Sequence, residues 1–150
     1  MKILVDADAC PVKDIIVSIA KKHSIRVIMF FDTSHIYSDN YSEVIIVDKG
    51  PDSVDFALAN KITSGDIVVS QDYGVATMAL SKNAVALNQN GLIYDKDNID
   101  KLLFERYLSQ KARRSGGRGI NPKKRTKEND ANFERTFIAL CNQQLNKVDQ

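Results

Sequence analysis

The chain has few cysteines, no long apolar run and none of several common catalytic motifs. Its two cysteines, Cys10 and Cys141, are too few and too far apart for a zinc knuckle or a disulfide framework, so we expect reduced thiols. No apolar run approaches the length of a membrane span, and the first carboxylates come too early for a signal peptide. These absences predict a cytoplasmic protein with no membrane partner.

The missing motifs narrow the enzyme classes further. The sequence contains no Walker A motif, no GxGxxG after the first strand, no HExxH and no GxSxG. Nucleotide-hydrolysing P-loop proteins, dinucleotide-binding enzymes and serine hydrolases are therefore disfavoured. The composition is otherwise ordinary: with 43% apolar and 27% charged residues among 150, it is typical of one globular domain.

Apolar strand-like runs alternate with helical patterns along the first two thirds of the chain. Predicted strands cover residues 2–6, 25–31, 43–48, 66–70 and 84–88. Such alternation predicts a three-layer α/β/α sandwich with a mainly parallel five-stranded sheet and right-handed crossovers. We expect a single domain over residues 1–150, with an α/β core at 1–95 and C-terminal helices at 96–150.

The last predicted helix has an apolar stripe whose partner the sequence leaves open. The stripe consists of Phe133, Phe137, Ile138 and Leu140. It would dock either on the sheet or on a second subunit, and in the second case the protein would be a homo-oligomer.

Four aspartates follow apolar runs and are the best candidates for chemistry: Asp6, Asp8, Asp55 and Asp72. The carboxyl ends of parallel strands share one edge of a sheet, and ligands of open α/β sheets bind there. Several carboxylates at one place repel one another unless they are protonated or share a cation. An oxygen-only set suits Mg²⁺ or Mn²⁺.

Each aspartate also has a structural interpretation. Asp6 or Asp8 would cap the helix that starts near Pro11, and Asp72 or Ser70 would cap the helix after the fourth strand. Asp52 or Ser53 is the predicted cap of the middle helix. In that helix Asp55 lies one turn in and points back toward the strand edge.

Two further residues are candidates for a reactive role. Cys10, before Pro11 at a helix start, would be either a buried structural residue, which we favour, or a thiolate stabilised by the helix N-terminus. His35, in the polar loop 32–42, would be a plain loop residue or a contact over the site.

The charge distribution is strongly asymmetric. Residues 1–110 contain 11 basic and 15 acidic residues, whereas residues 111–150 contain 10 and 4. The basic linker 111–127 has eight basic residues and no acidic one. It is either a solvated connector or a phosphate-binding segment. The candidates for contacts with nucleic acid are Arg113, Arg114, Arg118, Lys123, Lys124 and Arg125.

Four segments of the chain stand out together: VDADACPVK at the start, GPDSVDFALA, VVSQDYGVA and the basic segment that leads into ERTFIAL. Together they resemble the YaiI/YqxD family of small uncharacterised bacterial proteins. That family is grouped with PIN-like domains, whose well-known members are Mg²⁺- or Mn²⁺-dependent ribonucleases with carboxylates at the strand ends. The resemblance implies a PIN-like fold with Asp6, Asp55 and Asp72 as metal ligands, completed by Asp8 or Asp52.

The chain departs from the PIN-like pattern at two places. PIN nucleases often have a further acidic residue after the third ligand, where this chain has Gly74, Val75 and Ala76. Members also often have a second acidic residue beside Asp55, where this chain has Phe56. These departures predict that the metal is held by fewer carboxylates, is held weakly, or is not bound at all.

The leading prediction is a metal-dependent phosphodiesterase that acts on RNA or another nucleic acid, with Asp6, Asp8, Asp55 and Asp72 as its catalytic residues. Asp8 would be a further ligand or a base that orients water. The first alternative is a nucleic-acid- or protein-binding module with a vestigial site. A small-molecule phosphatase with Asp6 as nucleophile ranks lower, because Cys10 occupies a position where the haloacid-dehalogenase pattern has Thr or Ser.

Overall fold

The computed structural model describes residues 1–32, 36–116 and 123–148, which form five strands and five helices. In chain order they are β1 (Lys2–Asp6), α1 (Lys13–His23), β2 (Arg26–Asp32), β3 (Glu43–Val47), α2 (Ser53–Lys61), β4 (Ile67–Val69), α3 (Tyr73–Ser81), β5 (Val85–Leu87), α4 (Lys96–Arg114) and α5 (Lys127–Val148). The predicted alternation of strands and helices is confirmed.

The five strands form one parallel sheet in the order β3-β2-β1-β4-β5. Strand β1 is central, with Val5 opposite Met29 of β2 on one side and opposite Val69 of β4 on the other. The chain crosses from one side of β1 to the other between β3 and β4. The carboxyl ends of β1 and β4 therefore lie side by side, at the place where ligands bind in open α/β sheets.

Helices cover both faces of the sheet and give three layers. Side chains alternate along β1, so Val5 packs with α1 and α5, whereas Leu4 packs with α2, α3 and the start of α4. Phe133 and Phe137 of α5 are fully buried in the first of these cores, with ring centroids 5.2 Å apart. The apolar stripe of the last helix thus docks on the sheet.

The amino ends of the strands carry one aspartate with a purely structural setting. Asp66 is 1% exposed and accepts hydrogen bonds from Lys2 Nζ (2.7 Å) and from the backbone amide of Thr63 (2.8 Å). Burial alone would raise the pKa of Asp66, but the bonds from Lys2 and Thr63 lower it below the ordinary value. Asp66 therefore holds β4 to the start of β1, at the end of the sheet away from the predicted site.

None of the helices within the described residues combines the length and apolar character needed to cross a bilayer.

Candidate functional site

Seven aspartates line two adjoining cavities at the carboxyl edge of the sheet, which we call the acidic edge. One cavity, of about 400 Å³, is lined by Asp6, Asp55 and Asp72. The other, of about 340 Å³, contains Asp6, Asp8 and Asp55 among its lining residues. Its remaining aspartates are Asp32, Asp48 and Asp52. The four aspartates predicted as catalytic thus lie at one edge, and Asp6 and Asp55 line both cavities.

Asp6 is the last residue of the central strand and faces the α2 and α3 side of the sheet. It lies two residues after Leu4, so its side chain is on the same face as that buried residue. The Ser70 hydroxyl donates a hydrogen bond to Asp6 Oδ2 at 3.1 Å. Burial raises the pKa of Asp6, the Ser70 bond opposes that shift, and the charges of Asp8 and Asp72 add to it.

Asp72 combines the two roles predicted for it, as a helix cap and as a member of the site. Its Oδ1 accepts a hydrogen bond of 2.9 Å from the backbone amide of Val75, which makes it the N-cap of α3. Its own amide donates to Ser70 Oγ at 3.0 Å. Since the carboxylate also lines the 400 Å³ cavity, capping fixes its position without removing it from the site.

Asp55 lies in the first turn of α2 and is half-buried between the other carboxylates. Its pKa is raised to about 6 by burial, then by the charges of Asp72, Asp6 and Asp52, and by a hydrogen bond with the Asp72 carboxyl. Asp55 and Asp72 are therefore in contact. A cation placed between them would relieve the repulsion.

Asp8 has a structural contact as well as a place on the edge. Its carboxylate accepts the backbone amide of Asp32 at 3.2 Å and 3.3 Å, which ties the segment after β1 to the end of β2. The alternative that Asp6 or Asp8 caps α1 is wrong. Helix α1 begins at Lys13 with Val12 at its N-cap, and no side chain caps it.

The prediction that Asp52 caps α2 is right about its position in the chain and wrong about its side chain. Asp52 is the N-cap residue of α2, but its side chain makes no capping hydrogen bond. Its backbone is left-handed, with φ 62°, and the residue lines the cavity of about 340 Å³ at the acidic edge.

Sequence reasoning missed several residues of the site. Asp32 ends β2 and Asp48 directly follows β3, so the same strand-end rule that identified Asp6 would have found both. Arg106 of α4 and Tyr73 line the 400 Å³ cavity with the carboxylates. No local signal marks Arg106, because its place depends on how α4 packs beside α3.

The arrangement of carboxylates limits how a metal ion could be held. Across the three described ranges, no group of three or more His, Cys, Asp or Glu side chains is placed so that it could hold a metal ion. Mg²⁺ in phosphate-handling sites commonly uses one or two carboxylates, with water and substrate phosphate as the other ligands. Two of the carboxylates Asp6, Asp55 and Asp72, with the third on a water ligand, fit that mode, and the set does not fit a closed protein cage.

The basic linker has mixed roles. Arg113 and Arg114 are exposed at the end of α4, and Lys123 and Lys124 are exposed before α5. Arg125 is engaged: it donates to Asn90 Oδ1 (2.7 Å) and the Gln89 carbonyl (2.8 Å) and pairs with Asp130 at 2.7 Å. Arg118 and His35, both predicted candidates, lie outside the described residues.

Cys10 has the setting of a structural residue. It is 6% exposed and belongs to the core under α1 and α5. Burial raises the pKa of its thiol, against smaller opposing effects of the Val12 amide and Lys13. Such a thiol is not activated.

Comparison with known proteins identifies a family. Residues 4–143 match the family described as "Uncharacterized BCR, YaiI/YqxD family". A UPF0178 protein of Ruminiclostridium cellulolyticum is 63% identical over 138 residues, which is 92% of this chain and 90% of that protein. A UPF0178 protein of Clostridium kluyveri is 57% identical over 140 residues, 93% and 92% of the two chains. No solved structure matches the chain.

Proposed function

The chain belongs to the YaiI/YqxD family, and we propose that it is a metal-dependent phosphodiesterase that acts on RNA or another nucleic acid. One observation supports the proposal above the others. Asp6, Asp55 and Asp72, which belong to separate elements, line one open cleft together with Arg106. The carboxylates suit a divalent cation, and the arginine suits a phosphate.

The carboxylates would hold the ion on one side of the cleft. Asp55 and Asp72, which are in contact, would bind Mg²⁺ or Mn²⁺ directly, and Asp6 would hold one of the ion's water ligands. Water and a substrate phosphate would provide the other ligands. Such an ion supplies Lewis-acid activation of the phosphoryl group and of the attacking water.

The chain's own contribution is to fix these groups before substrate arrives. Ser70 links Asp6 to the Asp72 amide, and the N-cap bond to Val75 fixes the Asp72 carboxylate. Asp8 holds the end of β2 through the Asp32 amide, and we assign it to positioning. Groups held this way need little reorganisation on binding.

Arginines on one side of α4 would bind the phosphate chain. Ile99, Arg106 and Arg113 are seven residues apart, and an α-helix brings residues at that spacing to nearly the same side. Ile99 is buried against the α/β core. Arg106 and Arg113 therefore lie on the same side of α4 as Ile99, one and two heptads closer to the end of the helix. Exposed Lys123 and Lys124 would add positive charge that attracts the phosphate backbone and does not distinguish one base from another. We therefore expect sequence-tolerant, salt-sensitive binding.

The test is cleavage of a labelled single-stranded RNA by the full chain with and without Mn²⁺. Asp6→Asn should abolish cleavage, while Asp14→Asn, an exposed aspartate of α1, should leave it unchanged. Full activity of Asp6→Asn would exclude this site. Cleavage that is unaffected by a chelator would exclude the metal-dependent mechanism.

A second candidate is supported by the absence of a three-ligand group among the described residues. In that case the protein binds nucleic acid through the same edge and basic linker and does not cleave it. RNA binding that persists in chelator, with intact RNA after prolonged incubation with Mn²⁺, would favour this binding module.

A further inference from the structure

Helix α4 has an exposed apolar patch that the proposed nuclease site does not use. Leu103 and Leu108 are 44% and 48% exposed, and Phe104 and Tyr107 are 60% and 57% exposed. Four large apolar side chains on two successive turns of one helix form a contiguous patch. Contiguous exposed apolar surface of this kind commonly marks an interaction site.

The patch is on a different side of the helix from the one that attaches α4 to the body. Ile99 is 5% exposed, and it packs with half-buried Leu102 in the core beneath α2 and α3. From Leu103 to Gly116 every residue except half-buried Ser109 is exposed. The 19-residue helix, about 28 Å long, therefore leaves the body after its first two turns and presents the patch to its surroundings.

Charges of opposite sign flank the patch at its two ends. Six exposed residues follow each other at alternating spacings of three and four, the spacing that keeps residues on one helix side: Asp97, Asp100, Phe104, Tyr107, Lys111 and Arg114. The stripe is thus acidic at its N-terminal end, aromatic in the middle and basic at its C-terminal end. We call these six residues the α4 stripe.

We propose that the α4 stripe pairs with the α4 stripe of a second copy of this chain, antiparallel and about a two-fold axis. With the axis midway between residues 105 and 106, Phe104 meets Tyr107 of the second copy. The same register puts Asp100 opposite Lys111 of the second copy, and Asp97 opposite its Arg114. A two-fold interface repeats each contact, so four ion pairs flank an aromatic centre.

The charge pattern selects this arrangement over the parallel one. Parallel pairing in register would place Asp100 against Asp100 and Lys111 against Lys111, and like charges in contact disfavour an arrangement. Read along the α4 stripe from its N-terminal end, a matching partner must present basic, aromatic and acidic side chains in that order. A second α4 stripe that runs antiparallel presents them in that order. The pairing does not depend on the proposed nuclease activity, because Arg106 and Arg113 lie on another side of α4.

Charge reversal tests both the partner and the register. Sedimentation velocity of the full chain over a wide concentration range should show a species of twice 16.8 kDa. Asp100→Lys places Lys against Lys111 at both ends of the interface, and it should weaken dimerisation about tenfold or more. Adding Lys111→Asp restores opposite charges in the two-fold register. The double variant should therefore return to within about threefold of wild type.

Two further variants complete the experiment. Tyr107→Ser should abolish the dimer while circular dichroism stays that of wild type, since Tyr107 is exposed and not part of the core. Glu105→Lys, an equal charge reversal on the same helix but off the stripe, should leave the association unchanged. A monomer at every concentration would overturn the proposal. So would failure of the double reversal to restore a dimer that Asp100→Lys had weakened.

Discussion

The Ser70 hydroxyl donates a hydrogen bond of 3.1 Å to Asp6 Oδ2, and it joins the carboxyl ends of β4 and β1 at the centre of the acidic edge. The same oxygen accepts the Asp72 amide at 3.0 Å. One buried serine, 3% exposed, therefore positions two of the three carboxylates of the proposed metal site.

Removing this hydroxyl should affect both stability and metal binding. Ser70→Ala leaves the Asp72 amide without its acceptor and Asp6 without its donor, which costs about 1–2 kcal/mol of unfolding free energy. Mn²⁺ affinity measured by calorimetry should fall as well. Ser81→Ala, which removes an exposed hydroxyl bonded to the Met78 carbonyl, should change neither quantity appreciably. Unchanged Mn²⁺ affinity in Ser70→Ala would contradict the positioning role.

Replacing Asp55 should stabilise the protein in a pH-dependent way. Its pKa rises from 3.8 in the unfolded chain to about 6 in the fold, so the native state binds the extra proton between those values. Stability of the wild type should therefore fall as pH rises from about 4 to about 6. Asp55→Asn removes this loss, and urea unfolding at pH 8 should show a gain of about 1 kcal/mol, since solvent screens a half-buried carboxylate.

At acid pH the same variant should show no gain, because the wild-type carboxyl is then protonated in both states. An equal gain at pH 8 and at pH 3.5 would show that the charges of Asp72 and Asp6 do not cause the effect.

The contribution of Asp66 to stability should depend on pH in the opposite sense to that of Asp55. Its pKa is lowered in the fold, so its stabilisation is complete above the unfolded value of 3.8 and is lost as pH falls below it. Asp66→Asn breaks the pair between buried Asp66 and half-buried Lys2 and should cost about 2 kcal/mol at pH 7. Denaturant unfolding measures the loss, while Mn²⁺ binding should be unaffected because Asp66 lies at the other end of the sheet. Loss of Mn²⁺ binding in a folded Asp66→Asn protein would contradict the location of the site.

Gly74 allows the Asp72 carboxylate its position. A Cβ at residue 74 would lie 3.0 Å from Asp72 Oδ1, closer than a normal contact, so the carboxylate would have to move. Gly74→Ala should therefore weaken Mn²⁺ binding in calorimetry. Its effect on stability should be small, because better helix propensity, about 1 kcal/mol, offsets a weakened cap. Thr77→Ala, at an exposed position of the same helix, is the matched control; equal Mn²⁺ affinity in both variants would refute this effect.

The sequence was sufficient to predict the three-layer fold and the convergence of Asp6, Asp55 and Asp72. Alternating strands and helices fix a parallel sheet, and a parallel sheet brings its strand ends to one edge. Asp32 and Asp48 obey the same rule and were overlooked. An apolar stripe does not specify its partner, so the sequence does not decide whether Phe133 and Phe137 dock on the sheet.

Other features depend on packing that no local pattern records. Arg106 reaches the cleft only because Ile99 and Leu102 fix the rotation of α4 against the body. Asp52 was predicted to cap α2, but its left-handed backbone leaves the side chain without a capping bond. The packing of α4 is set by tertiary contacts, which propensity and spacing do not contain.

The most direct measurement is calorimetric titration of Mn²⁺ into the wild type and into Asp72→Asn, each with and without a non-hydrolysable dinucleotide. Asn is as good an N-cap as Asp, so the variant should keep α3 and the fold. We predict that Mn²⁺ binds the wild type, more tightly with the dinucleotide present, and that Asp72→Asn loses this binding. Failure of the wild type to bind Mn²⁺ under either condition, or equal binding by Asp72→Asn, would contradict a shared cation at the acidic edge.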